Sequence, residues 1–242
     1  MDETRRSSPV GAGVGGLDAG TADALGRSLF GSLPASSLTT LLEDATDVLF
    51  PPGGVVHPAG DTPFFHLVVR GVVRTVAASP DGRRATIRYV RSGEFLGSPS
   101  LFTTKPRVVS GEALHEARVL MFRPGVVRRL ALTDPAVAEA LFTELADRVV
   151  QYHGELVGSS FAGLRQKVAR HLLDIAAADT HGAALVARIS QSELADAVGT
   201  SREVVVRLLR DLREEGLVET GRGGITVLAP ERLHAEAVRP TV

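Results

Sequence analysis

The chain has 242 residues, enough for two small domains or one large one, and its 44% hydrophobic and 23% charged content fits a folded, water-soluble protein. It contains no cysteine, which excludes disulfides, thiolate nucleophiles, Cys-built zinc sites and iron–sulfur clusters. The formal net charge of -1 gives no global basic field, so any nucleic-acid site has to be local. There is no apolar run long enough to span a bilayer, and the first sixteen residues lack the apolar stretch of a secretory signal. A cytoplasmic location with no membrane partner is the expectation.

Residues 1–21 are rich in Gly, Ser and Ala and read as a disordered tail, because such a segment buries too little surface to offset its ordering entropy. Gly11, Gly13 and Gly16 have the spacing of a dinucleotide fingerprint, but no strand precedes them and no helix follows, so a flexible tail is the better reading. From 22 to 45 the pattern is helical, with Leu25, Leu29, Leu38, Leu41 and Leu42 apolar and Pro34 separating two short helices. Between 47 and about 124, short apolar or alternating runs at 48–50, 55–57, 64–69, 72–77, 84–90 and 118–122 are cut by Gly- and Pro-containing turns. Ser79-Pro80-Asp81-Gly82 reads as a hairpin turn, and the whole stretch as a β sandwich or barrel.

Asp134 and Pro135 supply the cap and first position of a long helix. Along it Ala138, Phe142, Leu145, Val149, Tyr152, Leu156 and Ser159 recur with 4-3 spacing, a heptad seam of about three repeats flanked by Asp147, Arg148 and Glu155. Packing on the chain's own β domain is one reading; a parallel helix–helix contact between two copies fits the regularity better. Gly154 and Gly158 weaken the helix and allow close approach or a hinge near 158–163. Beyond residue 161 the chain is helical again, with Leu164, Val168, Leu172 and Leu173 on one stripe.

The most informative stretch is 189–228. Ser190 and Glu193 form a capping box that starts a helix, which Gly199 ends. Ser201 then caps a second helix whose core face is Val205, Leu208, Leu209 and Leu212. Two short helices meeting through Ala195, a turn glycine and Val205 make a helix-turn-helix. Its outer face carries Arg202, Glu203, Arg207 and Arg210, which suit guanine O6/N7 and the cytosine amino group. Ser201 and the free first-turn N–H groups suit a phosphate. A solvated face with an i, i+4 Glu203–Arg207 pair is the alternative from the charges alone. The segments 218–220 and 225–228 flank Gly221-Arg222-Gly223-Gly224 as a β-hairpin wing, whose Arg222 can touch a phosphate. From Gly163 to the C-terminus, eleven Arg and Lys are balanced by eleven Asp and Glu, so recognition has to rest on base contacts rather than on a basic field.

This order of parts resembles the Crp/Fnr transcription regulators, over about residues 22–230. The likeness is strongest in Gly199-Thr-Ser-Arg-Glu-Val-Val-Val-Arg207, and it extends to Phe50-Pro-Pro-Gly53, Gly60-Asp61, Val69-Arg70-Gly71 and Gly93-Glu-Phe-Leu-Gly97. It implies an α+β protein. An N-terminal cyclic-nucleotide-binding-like β-roll, a jelly roll, spans 22–133 as sensor. A dimerisation helix and hinge follow at 134–162, and a winged helix-turn-helix at 163–242. It further implies a homodimer on a palindromic TGTGA-like operator, with Arg202, Glu203 and Arg207 reading bases and Ser190, Gln191, Ser201, Arg210 and Arg222 beside them on the DNA. The dimer seam would be Phe142, Leu145, Val149, Tyr152 and Leu156, and RNA polymerase is an implied partner.

The effector pocket implied by the resemblance is Gly97, Ser98, Arg107, Val108, Tyr152 and His153. Arg107 matches the family's phosphate arginine, but Ser98 stands where the ribose-binding Glu belongs and Val108 where the Ser or Thr belongs. Tyr152 and His153 replace small hydroxyl residues facing the base. A cyclic nucleotide would leave polar groups unpaired, at about 1–3 kcal/mol each, so cyclic AMP is not expected as the effector by the usual contacts. Two readings of Arg107 stay open, an anion ligand and a surface arginine. The seven histidines (57, 66, 115, 153, 171, 181 and 234) form no i, i+4 pair and no cluster, so neither metal nor haem is expected. No nucleophile elbow, P-loop or HExxH pattern points to an enzyme. Two alternatives remain: a cyclic-nucleotide- or haem-responsive regulator, and a β-roll protein-interaction module whose last helices serve only in packing.

Overall fold

The computed structural model describes residues 6–9, 16–78, 84–161, 163–178, 185–221 and 223–238, with side chains left out at 6–9 and 154–161. The chain divides into two compact units, one of residues 1–75 and 90–151 and one of 76–89 and 152–242.

The first unit is built on strands β1 (Arg6–Pro9), β2 (Thr46–Phe50), β3 (Val55–His57), β4 (Phe65–Arg70), β5 (Val73–Ala78), β6 (Arg84–Val90), β7 (Phe95–Leu96), β8 (Val109–Ala113) and β9 (Ala117–Phe122). The outer part of β5 and β6 belongs to the second unit. One sheet has the order β1-β2-β9-β4-β7 and the other β3-β8-β5-β6. Helices α1 (Ala19–Arg27), α2 (Ala35–Glu43), α3 (Pro124–Thr133) and the first part of α4 (Pro135–Phe161) complete it.

Strand β4 shows why the sequence there is apolar almost without a break. Side chains alternate between the two faces of a strand, and here both faces are covered. Phe65, Leu67 and Val69 pack with α1, α2, α3 and α4 through Ala24, Leu41, Val127 and Leu141. Val68 packs instead with Val48, Phe50, Val73 and Val119 in the second core. Phe30, Phe65, Phe95 and Phe122 form an aromatic knot in which the Phe65 and Phe95 rings stack at 4.5 Å and Phe30 meets Phe95 edge-on at 4.8 Å.

The second unit contains α5 (Leu164–Ala178), β10 (Leu185–Ala187), α6 (Gln191–Val198), α7 (Arg202–Glu214), β11 (Val218–Gly221), β12 (Gly224–Val227) and α8 (Pro230–Val238). Its sheet has the order β10-β12-β11. Val168, Leu172, Ile175, Leu194, Val205, Leu209, Leu212, Ile225 and Leu233 are its buried apolar side chains. Gly224, at φ 131°, lets β12 run so close to β10 that an added Cβ would lie 2.6 Å from the Ala187 carbonyl oxygen.

Three sequence expectations change. Residues 6–9, read as part of a disordered tail, pair antiparallel with β2 from Arg6 opposite Leu49 to Pro9 opposite Thr46. The same tail contains Asp18, which caps α1 by accepting from the N–H groups of Gly20 and Thr21 and receives two hydrogen bonds from the Arg118 guanidinium. Composition alone missed a segment held by polar contacts rather than by apolar burial. Helices α3 and α8 were not foreseen either; each is short and buries only one or two side chains, Val127 in α3 and Leu233 and Ala237 in α8. The turn at 79–82 and Gly11 and Gly13 lie outside the described residues.

Arg118 also donates from Nε to Asp47 on β2, at 2.9 and 3.0 Å. The guanidinium holds the Asp18 carboxyl far below the usual carboxylate range, with Thr21 adding to the effect. A carboxyl depressed in the folded state stabilises the fold above its unfolded pKa, and that contribution is lost as pH falls. Asp18→Asn should therefore lower the melting temperature at neutral pH, and the gap to the unmodified chain should shrink below pH ~4, where unfolded Asp protonates. Thermal melts across that range check it; a gap independent of pH would contradict the pairing.

Candidate nucleic-acid interface and ligand pocket

Helix α6 begins with the capping box foreseen from the sequence. The Ser190 hydroxyl accepts from the Glu193 N–H at 3.2 Å, and the Glu193 carboxylate accepts from the Ser190 N–H at 2.9 Å. Gly199 ends it in the left-handed region at φ 72°. Ala195 and Val205 are both buried where α6 meets α7. Gln191 is half-buried and Ser190 exposed.

Helix α7 is sharply two-sided. Val205, Leu209 and Leu212 are buried, and Leu208 is half-buried. Arg202, Glu203, Arg207 and Arg210 are all exposed. The i, i+4 pair that would have made this a mere solvated face does not form: Arg202 and Arg207 make no salt bridge among the described residues. Glu203 instead turns back on its own backbone N–H and the Ser201 hydroxyl, which hold its carboxyl below the ordinary range. Ser201 occupies the N-cap position with no side-chain cap bond, contrary to the role read for it, so the first-turn N–H groups other than that of Glu203 stay available to a phosphate. Arg210 lies 3.9 Å from both Asp211 and Glu214.

One further member of this face was missed. Val206 lies between Glu203 and Arg207 with 41% of its surface exposed, an apolar side chain among charges. Only its phase on the helix marks it in the sequence; a side chain of this kind can meet a thymine methyl. The wing follows as expected, with β11 and β12 paired from Val218 opposite Val227 to Gly221 opposite Gly224. Arg222 lies outside the described residues.

In the first unit the residues named for an effector pocket separate. Arg107 lines a cavity of about 580 Å³ together with Val48, Val56, Pro58, Pro63, Phe64, Met121, His57, His66 and Thr62. Gly97, Ser98 and Val108 are not among its lining residues. Gly97 and the serine three residues on serve instead to seat Phe64. An added Cβ at Gly97, at φ 93°, would lie 2.3 Å from the Phe64 carbonyl oxygen. The Ser100 hydroxyl donates to that carbonyl at 2.7 Å and accepts from the Phe64 N–H at 3.0 Å. Val108 is exposed, and Tyr152 and His153 belong to the second unit, both exposed on α4.

Ser98 is buried and donates to the Glu144 carboxylate at 3.3 Å. Glu144 also pairs with Arg148 one turn on, and Arg148, only 7% exposed, reaches the Phe95 carbonyl. Arg148 therefore faces the core of its own unit; it does not flank the seam. The clue lies in the phase of Val137, Leu141, Glu144 and Arg148, which is one helical face. On a different face, Phe142 is 72% exposed, Val149 52% and Tyr152 42%, with Leu145 half-buried. The side chain of Leu156 lies outside the described residues.

His57 and His66 line the same cavity, and no group of three or more His, Asp or Glu among the described residues is placed to hold a metal ion. His171 is buried in the second unit, 3.2 Å from the Tyr89 hydroxyl, and burial pushes its pKa down to about 4. No helix among the described residues is long and apolar enough to cross a membrane.

A helix pair with an exposed Arg-Glu-Arg face and a β-hairpin wing, in a chain that also carries a two-sheet β unit, fits the class of DNA-binding regulators. Residues 47–134 match the cyclic nucleotide-binding domain family and residues 166–236 the Crp-like helix-turn-helix domain. The chain is 33% identical over 207 residues to the cyclic AMP receptor protein of Thermus thermophilus, covering 84% of this chain and 93% of that one. Among solved structures, a CRP/FNR-family transcriptional regulator from the same organism matches with 26% identity and a TM-score of 0.67, over 79% of this chain and 97% of that one. The c-di-GMP responsive global regulator CLP of Xanthomonas campestris matches with 26% identity and a TM-score of 0.67, over 81% and 99%. The chain belongs to the Crp/Fnr family of DNA-binding transcription regulators.

Replacing Arg207 by Ala should cost about 1–3 kcal/mol in specific binding and relax selectivity at one base pair of each half-site. Affinity measured on a set of single-base operator variants checks this. Equal weakening on every sequence would make Arg207 a phosphate contact instead.

Proposed function

We propose that the protein acts as a homodimer that reads a palindromic, TGTGA-like operator. The observation that carries this is the outer face of α7, where Arg202, Glu203 and Arg207 stand exposed with no partner across the helix. Each suits a base edge: arginine a guanine, glutamate a cytosine amino group. Ser201 with the first-turn N–H groups, and Ser190, Gln191, Arg210 and Arg222 around them, hold the backbone and fix the register.

Dimerisation is supported by the second stripe of α4. Phe142, Val149 and Tyr152 are exposed on α4, with Leu145 half-buried among them, and exposed large apolar side chains grouped in this way mark a surface that another protein covers. An identical stripe on a second copy satisfies it under two-fold symmetry. Two recognition helices then lie about one DNA turn, ~34 Å, apart, and operator symmetry follows. RNA polymerase is the partner through which such a dimer acts in the cytoplasm, and the protein works as a regulator, not as an enzyme.

Several of the relatives are named for cyclic AMP and one of the solved structures for c-di-GMP. Here the usual cyclic-nucleotide contacts are spoken for or missing. Ser98 is engaged with Glu144, and Val108 brings no hydroxyl. The effector is therefore not cyclic AMP bound in the usual way.

Substituting Phe142 and Val149 by Asp should convert the dimer to a monomer and weaken binding to a TGTGA palindrome at least about a hundredfold, while leaving the weak binding to a single half-site unchanged. Sedimentation and fluorescence anisotropy check both parts. A variant that stays dimeric, or a monomer that binds the palindrome as tightly, would overturn the proposal.

A further inference from the structure

The cavity beside Arg107 is lined by two groups with polar atoms that find no hydrogen-bond partner among the described residues, His57 and Arg107. His57 is 4% exposed, and neither of its ring nitrogens has a hydrogen-bond partner. Its ring is wedged: it stacks on Phe64 at 3.8 Å, while Gly111 lies against the other atoms so closely that an added Cβ would fall 2.3 Å from the ring. Burial, with the nearby charges of His66 and Arg107, pushes its pKa down to about 3, so at neutral pH it is an uncharged ring with one donor and one acceptor.

Arg107 is the second group. Its backbone is fixed by paired hydrogen bonds with Gly60, at 2.8 and 3.1 Å. Its guanidinium lies 4.8 Å from the centre of the Phe64 ring and donates to the Thr62 carbonyl. Nε is buried without a partner, and the side chain makes no salt bridge among the described residues. The other two charged lining residues, Asp44 and Arg123, pair with each other at 3.6 Å. Asp61 acts on Arg107 as a counter-charge but neither lines the cavity nor forms a salt bridge with it, so Arg107 is the one lining charge without an ion pair, among walls that are mostly apolar.

We infer that this cavity binds a small organic acid with an aromatic or otherwise apolar body, its carboxylate on Arg107 and its body against Phe64 and Met121, with His57 supplying a hydrogen bond. The volume lies within the range of small-molecule sites, which combine apolar walls with a few placed polar groups. A guanidinium grips a carboxylate through paired N–H donors. A nucleotide is a poorer occupant because its sugar and base carry many polar groups and the walls carry few. The inference rests on the proposed regulator only in calling this acid its effector; the binding site itself stands on the geometry.

The test uses the full chain and four probes: 1-naphthoate, its neutral amide, inorganic phosphate and cyclic AMP, followed by calorimetry. Naphthoate should bind one per chain, at least about tenfold more tightly than the amide, and more tightly than phosphate or cyclic AMP. Arg107→Gln should remove that preference, and His57→Phe, which keeps the ring's shape, should weaken binding severalfold. Should His57→Phe fail to fold, the half-exposed Arg107 variant decides alone. Equal binding of acid and amide, an Arg107→Gln chain that binds as before, tighter binding of phosphate or cyclic AMP, or no binding by naphthoate would each overturn the inference. Anisotropy with operator DNA separates the two proposals: acid binding without DNA binding contradicts the regulator alone, and DNA binding without acid binding contradicts the acid site alone.

Discussion

Helix α4 carries two stripes of side chains that cannot face the same way. Val137, Leu141, Glu144 and Arg148 turn into the first unit, where Val137 and Leu141 join the apolar core and Glu144 neutralises a nearly buried arginine. Phe142, Leu145, Val149 and Tyr152 form a stripe centred about a quarter turn away, exposed except for the half-buried Leu145. Helical geometry imposes this division, because satisfying the core with one stripe necessarily exposes the other. The buried stripe fixes the helix's rotation, so the exposed stripe is presented in one orientation for a second copy. The proposed two-fold reading of DNA requires such an orientation.

The recognition module obeys the same logic on a smaller scale. Burying Val205, Leu209 and Leu212 decides which residues of α7 remain outside. With no excess of basic residues in the C-terminal part, attraction to the DNA backbone is modest, and selectivity has to come from the few side chains on that face. The absence of a Glu203–Arg207 pair fits such a role. Two groups bound to each other would have to be separated, and partly rehydrated, before reading bases.

Much of this was legible in the sequence because the signals are local. A capping box, a turn glycine and a 3-4 apolar repeat all act within a few residues, and α6, α7 and the wing came out where those signals placed them. The exposure of Phe142, Val149 and Tyr152 on one side of α4 follows from a local repeat in the same way. What the sequence hid depends on pairing across long separations. Strand β1 is paired with the distant β2, and Asp18, besides capping α1 locally, is held by Arg118, a hundred positions away. The cavity is hidden in the same way, since His57, Phe64 and Arg107 come together only when the strands pair. Arg148 was misplaced because its neighbours in sequence belong to the seam, whereas its partner Glu144 lies one turn back on the buried face.

The most direct measurement of the central claim is selection of bound duplexes from a randomised DNA pool by the purified full chain. The account predicts enrichment of an inverted repeat whose TGTGA-like halves are centred about one helical turn apart. Enrichment of a single unpaired half-site, or of no sequence at all, would contradict it.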